Sequence, residues 1–171
     1  SYSKFNFTGK EPAMAEIRPF APSKDRTPRY TVKEVSELTG LSAYTIRYYE
    51  NSGLIPSVDR TDGNIRMFSE YALSWLRLVH CLRATGLPID QVRRYIRMCE
   101  QGDSTIPERA EMIFRQEESL RRQLESLQQQ FEVLKYKKEY YKRLLEGRGQ
   151  DSCNPAARQK AEPDIVPELA L

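Results

Sequence analysis

From Ile106 to Leu145 an apolar stripe recurs at alternating steps of three and four residues, with no Pro or Gly between Glu108 and Glu146. Its positions are Ile106, Ala110, Ile113, Glu117, Leu120, Leu124, Leu127, Phe131, Leu134, Lys138, Tyr141 and Leu145, and only Glu117 and Lys138 among them are charged. A 3.5-residue repeat keeps one seam along one side of a helix, and a lone helix has no core in which to hide it. The seam therefore predicts a coiled coil over 103–146, with Ile113, Leu120, Leu124, Leu127, Phe131 and Leu134 as dimerisation residues. About 40 helical residues span roughly 60 Å, which suits a bridge between subunits. Thr105 with Glu108 reads as the capping box that opens this helix.

Upstream, the elements are short. Thr31 and Glu34 form another capping-box pair, Val32, Val35 and Leu38 make one stripe, and Gly40 suits a helix stop. Ser42 can cap a second helix almost at once, running through Thr45, Ile46, Arg47, Tyr48, Tyr49 and Glu50 to Gly53. Two helices joined by Thr39-Gly40-Leu41-Ser42 have a helix-turn-helix outline. Short extended runs around Arg60 and Ile65-Arg66-Met67-Phe68, separated by Asp62-Gly63, read as a hairpin, which in this position is a wing. Ser69 can cap a third helix carrying Ala72, Leu73, Leu76 and Val79 inward and ending at Gly86. Pro88 suits the first turn of a fourth, with Val92, Tyr95, Ile96 and Cys99 on one side and Gly102 at its end. The expected architecture is mainly α: a winged helix-turn-helix DNA-binding head over 30–102, followed by a long dimerising coiled-coil helix.

Residues 1–29 lack periodicity and contain four prolines, so a flexible N-terminal arm is expected there, and a disordered tail is expected over 147–171. No apolar run approaches the roughly 20 residues of a membrane helix, and the N-terminal residues have no apolar signal core. A cytoplasmic location is expected. Cys81, Cys99 and Cys153 match no disulfide framework and no CxxC spacing. Cys81 and Cys99 are expected as buried thiols on apolar helix faces, and Cys153 as an exposed one. With a single histidine, His80, and no nucleophile–base pair, neither an enzyme nor a bound cofactor or metal is expected.

Net charge is only +3, and residues 30–102 carry nine basic against eight acidic side chains. Affinity for a polyanion must therefore come from placed arginines. Tyr44, Thr45, Arg47 and Tyr48 cluster in the N-terminal half of the second helix, the part that enters a major groove. Arg47 can fork onto guanine O6 and N7 or onto phosphate, and Tyr48 offers a ring and one hydroxyl to the sugar-phosphate backbone. Tyr49 is expected in the core. Arg60 and Arg66 flank the hairpin turn, from which they would reach backbone or minor groove.

The run from Tyr30-Thr31-Val32-Lys33-Glu34-Val35 through Leu41-Ser42-Ala43-Tyr44-Thr45-Ile46-Arg47-Tyr48-Tyr49-Glu50 to Gly53-Leu54-Ile55 resembles the mercury-resistance regulator (MerR) family. The Gly63-Asn64-Ile65-Arg66-Met67-Phe68 wing and the Gly86-Leu87-Pro88-Ile89 junction extend the likeness over roughly Tyr30 to Glu146. Cys81-Leu82-Arg83-Ala84-Thr85-Gly86 and Gln101-Gly102-Asp103-Ser104-Thr105 make it most similar to the short regulators of aldehyde and thiol stress. The resemblance implies a homodimer with antiparallel coils and two heads on a pseudo-palindromic site in double-stranded promoter DNA. It also implies that the DNA between the core elements is bent and untwisted, so that RNA polymerase is reached indirectly through the promoter.

Departures from the family pattern are the long arm, Phe68 in place of a wing tyrosine, and Pro88 where a capping serine is frequent. Phe68 removes a hydroxyl and with it one phosphate contact. The metal-sensing branch implies paired thiolates after the coil, where only Cys153 stands, and the iron–sulfur branch implies four ligands, so neither is expected. Two other functions fit the same outline. One is a DNA-architectural, excisionase-like factor that shares the head, and the other is a coiled-coil adaptor whose head binds protein.

Overall fold

The computed structural model describes residues 21–156 and Leu169, so the first 20 residues of the expected arm and most of the expected tail lie outside the described residues. The chain divides into two compact units, one up to Arg83 and one from Ala84 on. The element order is α1 (Val32–Thr39), α2 (Ala43–Asn51), β1 (Asp59–Arg60), β2 (Arg66–Met67), α3 (Glu70–Ala84), α4 (Ile89–Gln101), a 3₁₀ turn at Asp103–Thr105, and α5 (Ile106–Leu145).

In the first unit, local chemistry sets each boundary. The Glu34 carboxylate accepts from Thr31 N–H at 2.7 Å while Thr31 Oγ1 accepts from Glu34 N–H at 3.4 Å, so the capping box is closed. Gly40, at φ 74°, ends α1 in the left-handed region and donates to the Ser36 carbonyl at 2.9 Å. Ser36 Oγ donates to the Leu41 carbonyl at 2.6 Å and Thr39 Oγ1 accepts from Leu41 N–H at 3.2 Å, which fixes the turn. Ser42 then caps α2 through Thr45 N–H at 3.1 Å. This second helix stops at Asn51, two residues short of the expected Gly53. Gly53 instead supplies the left-handed step at φ 70°, with Leu54 N–H reaching back to the Tyr49 carbonyl at 3.1 Å and Gly53 N–H to that of Glu50 at 3.0 Å. Those two bonds form a Schellman end, and the fully buried Leu54 anchors it.

The hairpin pairs Asp59 with Met67 and Arg60 with Arg66. Its turn differs from a two-residue Asp-Gly turn. Thr61 N–H donates to the Ile65 carbonyl at 2.9 Å, Asn64 N–H donates to that of Thr61 at 2.8 Å, and Asn64 (φ 61°) is the left-handed residue. This is the three-residue loop in which a type I turn is followed by a bulge, and Asn tolerates that φ. Phe68 exchanges backbone hydrogen bonds with Tyr30 at 2.9 and 2.7 Å and is wholly buried, so the chain entering α1 is joined to the wing. Tyr30 also donates its hydroxyl to Glu70 at 2.6 Å, a bond that raises the phenol above its ordinary pKa. Ser69 caps α3 through Ala72 N–H, and Ala72, Leu73, Leu76 and Val79 are buried as expected.

Three expectations here are corrected. Residues 23–29 are fastened rather than loose: Ser23 N–H meets Ser74 Oγ at 2.8 Å, the Asp25 carbonyl accepts from Tyr71 N–H at 2.9 Å, and the Arg26 guanidinium lies 4.4 Å from the Tyr71 ring centre. Leu38 is exposed, leaving Val32 and Val35 as the inner stripe of α1. Cys81 is exposed as well, because two residues beyond Val79 carry it about 200° round the helix.

In the second unit, Pro88 precedes α4 as its N-cap, one residue earlier than expected, and Val92, Ile96 and Met98 are the buried residues of that helix. The capping box expected at Thr105 does not form. Thr105 ends the 3₁₀ turn at φ −94°, ψ 0°, and its hydroxyl lies 2.7 Å from the carbonyls of both Met98 and Gly102. Arg109 Nε donates to that same hydroxyl at 3.1 Å and its Nη1 approaches Cys99 Sγ at 3.7 Å, while Arg94 pairs with Glu108 at 3.3 Å. These links tie α4 to the start of α5, so the expected boundary at Gly102 falls inside a compact unit. Cys99 is half-buried, and that burial holds its thiol above the usual range.

Helix α5 runs 40 residues, with Glu111–Arg115, Glu117–Arg121 and Glu118–Arg122 paired at i,i+4 along it, the second of them starting from the seam position Glu117. Its seam is uncovered in the single chain: Leu124, Leu127, Phe131 and Leu134 are 66%, 60%, 60% and 65% exposed. Past its end the chain folds back, contrary to an unstructured tail beginning at 147. The buried Tyr140 donates its hydroxyl to Asp151 at 2.8 Å and accepts from Cys153 N–H at 3.1 Å, which leaves Cys153 half-buried instead of exposed. Burial pushes the Tyr140 phenol up, and the Asp151 carboxylate adds to the effect.

Replacing Thr31 by Ala is expected to cost about 1 kcal/mol in urea unfolding, the usual worth of a helix N-cap. The Thr31 backbone N–H holds the Glu34 carboxyl below its ordinary pKa. Its contribution is thus complete at neutral pH and fades as pH falls through the lowered value. A Glu34→Gln chain should lose that part of the acid dependence, read as a smaller stability difference between pH 7 and pH 3.

Candidate nucleic-acid interface

Helix α2 sorts its side chains by face. Ile46 and Tyr49 are buried, whereas Tyr44, Arg47 and Tyr48, three and four residues apart, stand together on the exposed side. Tyr44 is 79% exposed and Tyr48 42%, which separates them from Tyr49 at 6%. A large aromatic left this open on a short capped helix contributes little to the core, and beside Arg47 it offers rings and hydroxyls to a polar partner. Among the described residues no acidic side chain pairs with Arg47. Thr45 is half-buried and its hydroxyl lies 2.9 Å from that of the capping Ser42, so it helps to build the helix start as well as bordering the face.

The wing arginines behave differently from Arg47. Arg66 is turned back onto the end of α2, with Nε 2.8 Å from Glu50 Oε2 and Nη2 2.6 Å from Asn51 Oδ1. Arg60 reaches the other carboxylate oxygen, Glu50 Oε1, at 3.4 Å, and contacts the Asn64 carbonyl and side chain at 3.4 and 3.3 Å. Both arginines expected to project from the wing therefore converge on one carboxylate. Glu50 and Asn51 had no assigned role in the sequence reading. The available signal was that Glu50 is the only acid in α2, just after its exposed face.

The candidate interface is an exposed arginine–tyrosine face on the second helix of a capped pair, with a two-stranded hairpin braced against that helix. No groups of His, Cys, Asp or Glu suited to hold a metal occur among the described residues, and no helix there is long and apolar enough to cross a membrane. The class defined by this fold is the winged helix-turn-helix regulator with a coiled-coil extension.

Residues 30–99 match the MerR helix-turn-helix family of regulatory proteins. A Haemophilus influenzae relative described as an uncharacterized HTH-type transcriptional regulator is 34% identical over 114 residues, covering 67% of this chain and 84% of the relative. The chain belongs to the MerR family of transcriptional regulators. The Bacillus subtilis regulator AdhR is 35% identical over 89 residues, 52% of this chain and 64% of its own length. Among solved structures, HiNmlR, a MerR family regulator lacking the sensor domain and bound to promoter DNA, superposes with a TM-score of 0.60 at 33% identity, covering 70% of this chain and 91% of that one. A putative MerR family regulator from Listeria monocytogenes gives 0.59 at 33% identity, with 67% and 86% covered.

The two faces of α2 should separate in mutagenesis. Tyr49→Ala is expected to cost about 3 kcal/mol or more in denaturant unfolding, as a buried aromatic does. Tyr44→Ala should stay within about 0.5 kcal/mol of the parent, as an exposed residue does.

Proposed function

We propose that the protein acts as a homodimer that binds a pseudo-palindromic site in double-stranded promoter DNA between the core elements and distorts it, so that RNA polymerase responds through the promoter. The observation that carries this reading is the exposed Tyr44, Arg47 and Tyr48 face, with Thr45 at its edge, on a chain whose α5 seam is uncovered. HiNmlR, alike in fold and sequence, was solved on promoter DNA, which supports the same partner here.

The charge pattern of α5 supports an antiparallel pair. Residues 106–126 carry five acidic and four basic side chains, whereas 127–145 carry five basic and two acidic. Pairing unlike ends brings these halves together, and a parallel pair would stack Lys135, Lys137, Lys138, Lys142 and Arg143 on their own copies. Two heads on one dimer match a two-fold operator. The three unpaired cysteines fit a protein that works in the reducing cytoplasm.

Sedimentation at micromolar concentration should give twice the 19.9 kDa chain mass. Leu127→Asp puts a charge into the seam and should yield monomers that no longer footprint the upstream region of the gene. Arg47→Ala in the intact dimer should weaken promoter binding about tenfold, within the range of one bidentate base contact, and flatten its salt dependence if the contact is to phosphate. A wild type that stays monomeric and ignores promoter duplexes would overturn the proposal. Transcription in vitro from a bound promoter separates a regulator, which changes transcript yield, from a purely architectural factor.

A further inference from the structure

The wing carries two arginines directly opposite each other, Arg60 on β1 and Arg66 on β2. Like charges in that relation repel, and a pair of unpaired guanidiniums beside a recognition helix would bind any phosphate backbone. Glu50 meets both. Its Oε2 accepts from Arg66 at 2.8 Å and its Oε1 from Arg60 at 3.4 Å. The two holds are unequal. The Arg66 side chain is 20% exposed and gains a second short bond to Asn51, whereas Arg60 is 37% exposed and its side-chain bonds among the described residues are 3.3 to 3.4 Å long.

We propose that Glu50 is a positioning and specificity-determining residue that fixes the wing to the recognition helix through Arg66 and withholds Arg60 from DNA until that helix is seated. Arg66 is the strut, because two well-directed bonds in a half-buried setting hold it. Arg60 is the releasable charge, because long contacts at an exposed site give little and exchange readily for phosphate. On unrelated DNA the wing lacks the register needed to offer Arg60 a phosphate, so it stays on Glu50 and non-specific affinity stays low. On the operator, seating α2 brings backbone to the wing and Arg60 transfers. The inference rests on the DNA-binding reading above and adds the residue that sets its discrimination.

The test compares the full-length wild type with Glu50→Gln, Glu50→Asp and the double variant Glu50→Gln/Arg60→Gln. The probes are a duplex selected by the wild type from a random library and a scrambled duplex of equal length, each measured across a salt series. Glu50→Gln should tighten binding to the scrambled duplex about three- to tenfold at low salt. It should also steepen the logarithmic salt slope by about 0.9 per newly engaged phosphate, so that the selected-to-scrambled ratio falls. Glu50→Asp keeps the charge and should keep most of the ratio, and removing Arg60 as well should abolish the steepening.

Glu50→Gln that weakens both duplexes equally with an unchanged slope would leave Glu50 as a merely structural brace and overturn the inference alone. A wild type that selects no duplex overturns the DNA reading and this inference together. Should the glutamine variant unfold, nitrogen-15 spectra of the unaltered protein decide. The Arg60 Nε–H signal should stay at its free position on the scrambled duplex and move on the selected one, and movement on both would sink the idea.

Discussion

A helix 40 residues long cannot shelter its own apolar side, and that constraint shapes the whole C-terminal half of the chain. Glu-to-Arg pairs in the favourable order run along α5 and add modestly to the helix in water. Its seam contributes nothing in a single copy, since Leu124, Leu127, Phe131 and Leu134 face solvent. In the homodimer we propose, folding of this half and association become one problem. The ends of the helix are not left to fray. The Thr105 hydroxyl and Arg109 bind its start to the end of α4, and Tyr140 fastens the chain that leaves it.

The first unit solves the opposite problem, because it must make a small core from short pieces. Phe68 does this by combining complete burial with backbone pairing to Tyr30. The aromatic fills the interior while the paired backbone joins the entering chain to the hairpin. The expectation that Phe68 costs the wing a phosphate contact is thereby corrected: the ring is wholly buried, away from any phosphate, where an unpartnered hydroxyl would be costly. Two residues on, Glu70 takes the Tyr30 phenol, so the same few residues close the seam between the entering chain, the wing and α3.

What was legible in the sequence was what depends on neighbours in the chain. The Thr31–Glu34 box, the Gly40 stop, the Ser42 and Ser69 caps and the periodic faces of α2 and α5 all follow from residues within a turn or two. The readings that failed depend on distant partners. Thr105 has a capping-box sequence, yet its hydroxyl is claimed by Met98 at the end of the preceding helix. Cys81 is the exception, a local misreading: its apolar neighbours suggest burial, but its own angle round α3 carries it off the buried stripe. In the candidate site, Tyr44, Arg47 and Tyr48 were readable because helix periodicity alone exposes them. The inward turn of Arg66 was not, because Glu50 lies 16 residues away and only the hairpin register brings the two together.

The near-neutral charge of the head makes that inward turn consequential. With nine basic and eight acidic side chains between 30 and 102, there is little general attraction for a polyanion, so affinity is decided by which arginines are free and where they point. Arg47 meets no acidic side chain among the described residues, while the two wing arginines share one carboxylate. A head built this way presents one committed cation on its recognition helix and keeps a second on a weak tether beside it. Discrimination then comes from geometry rather than from total charge, because only a backbone that fits the helix and the wing together can compete with Glu50 for Arg60.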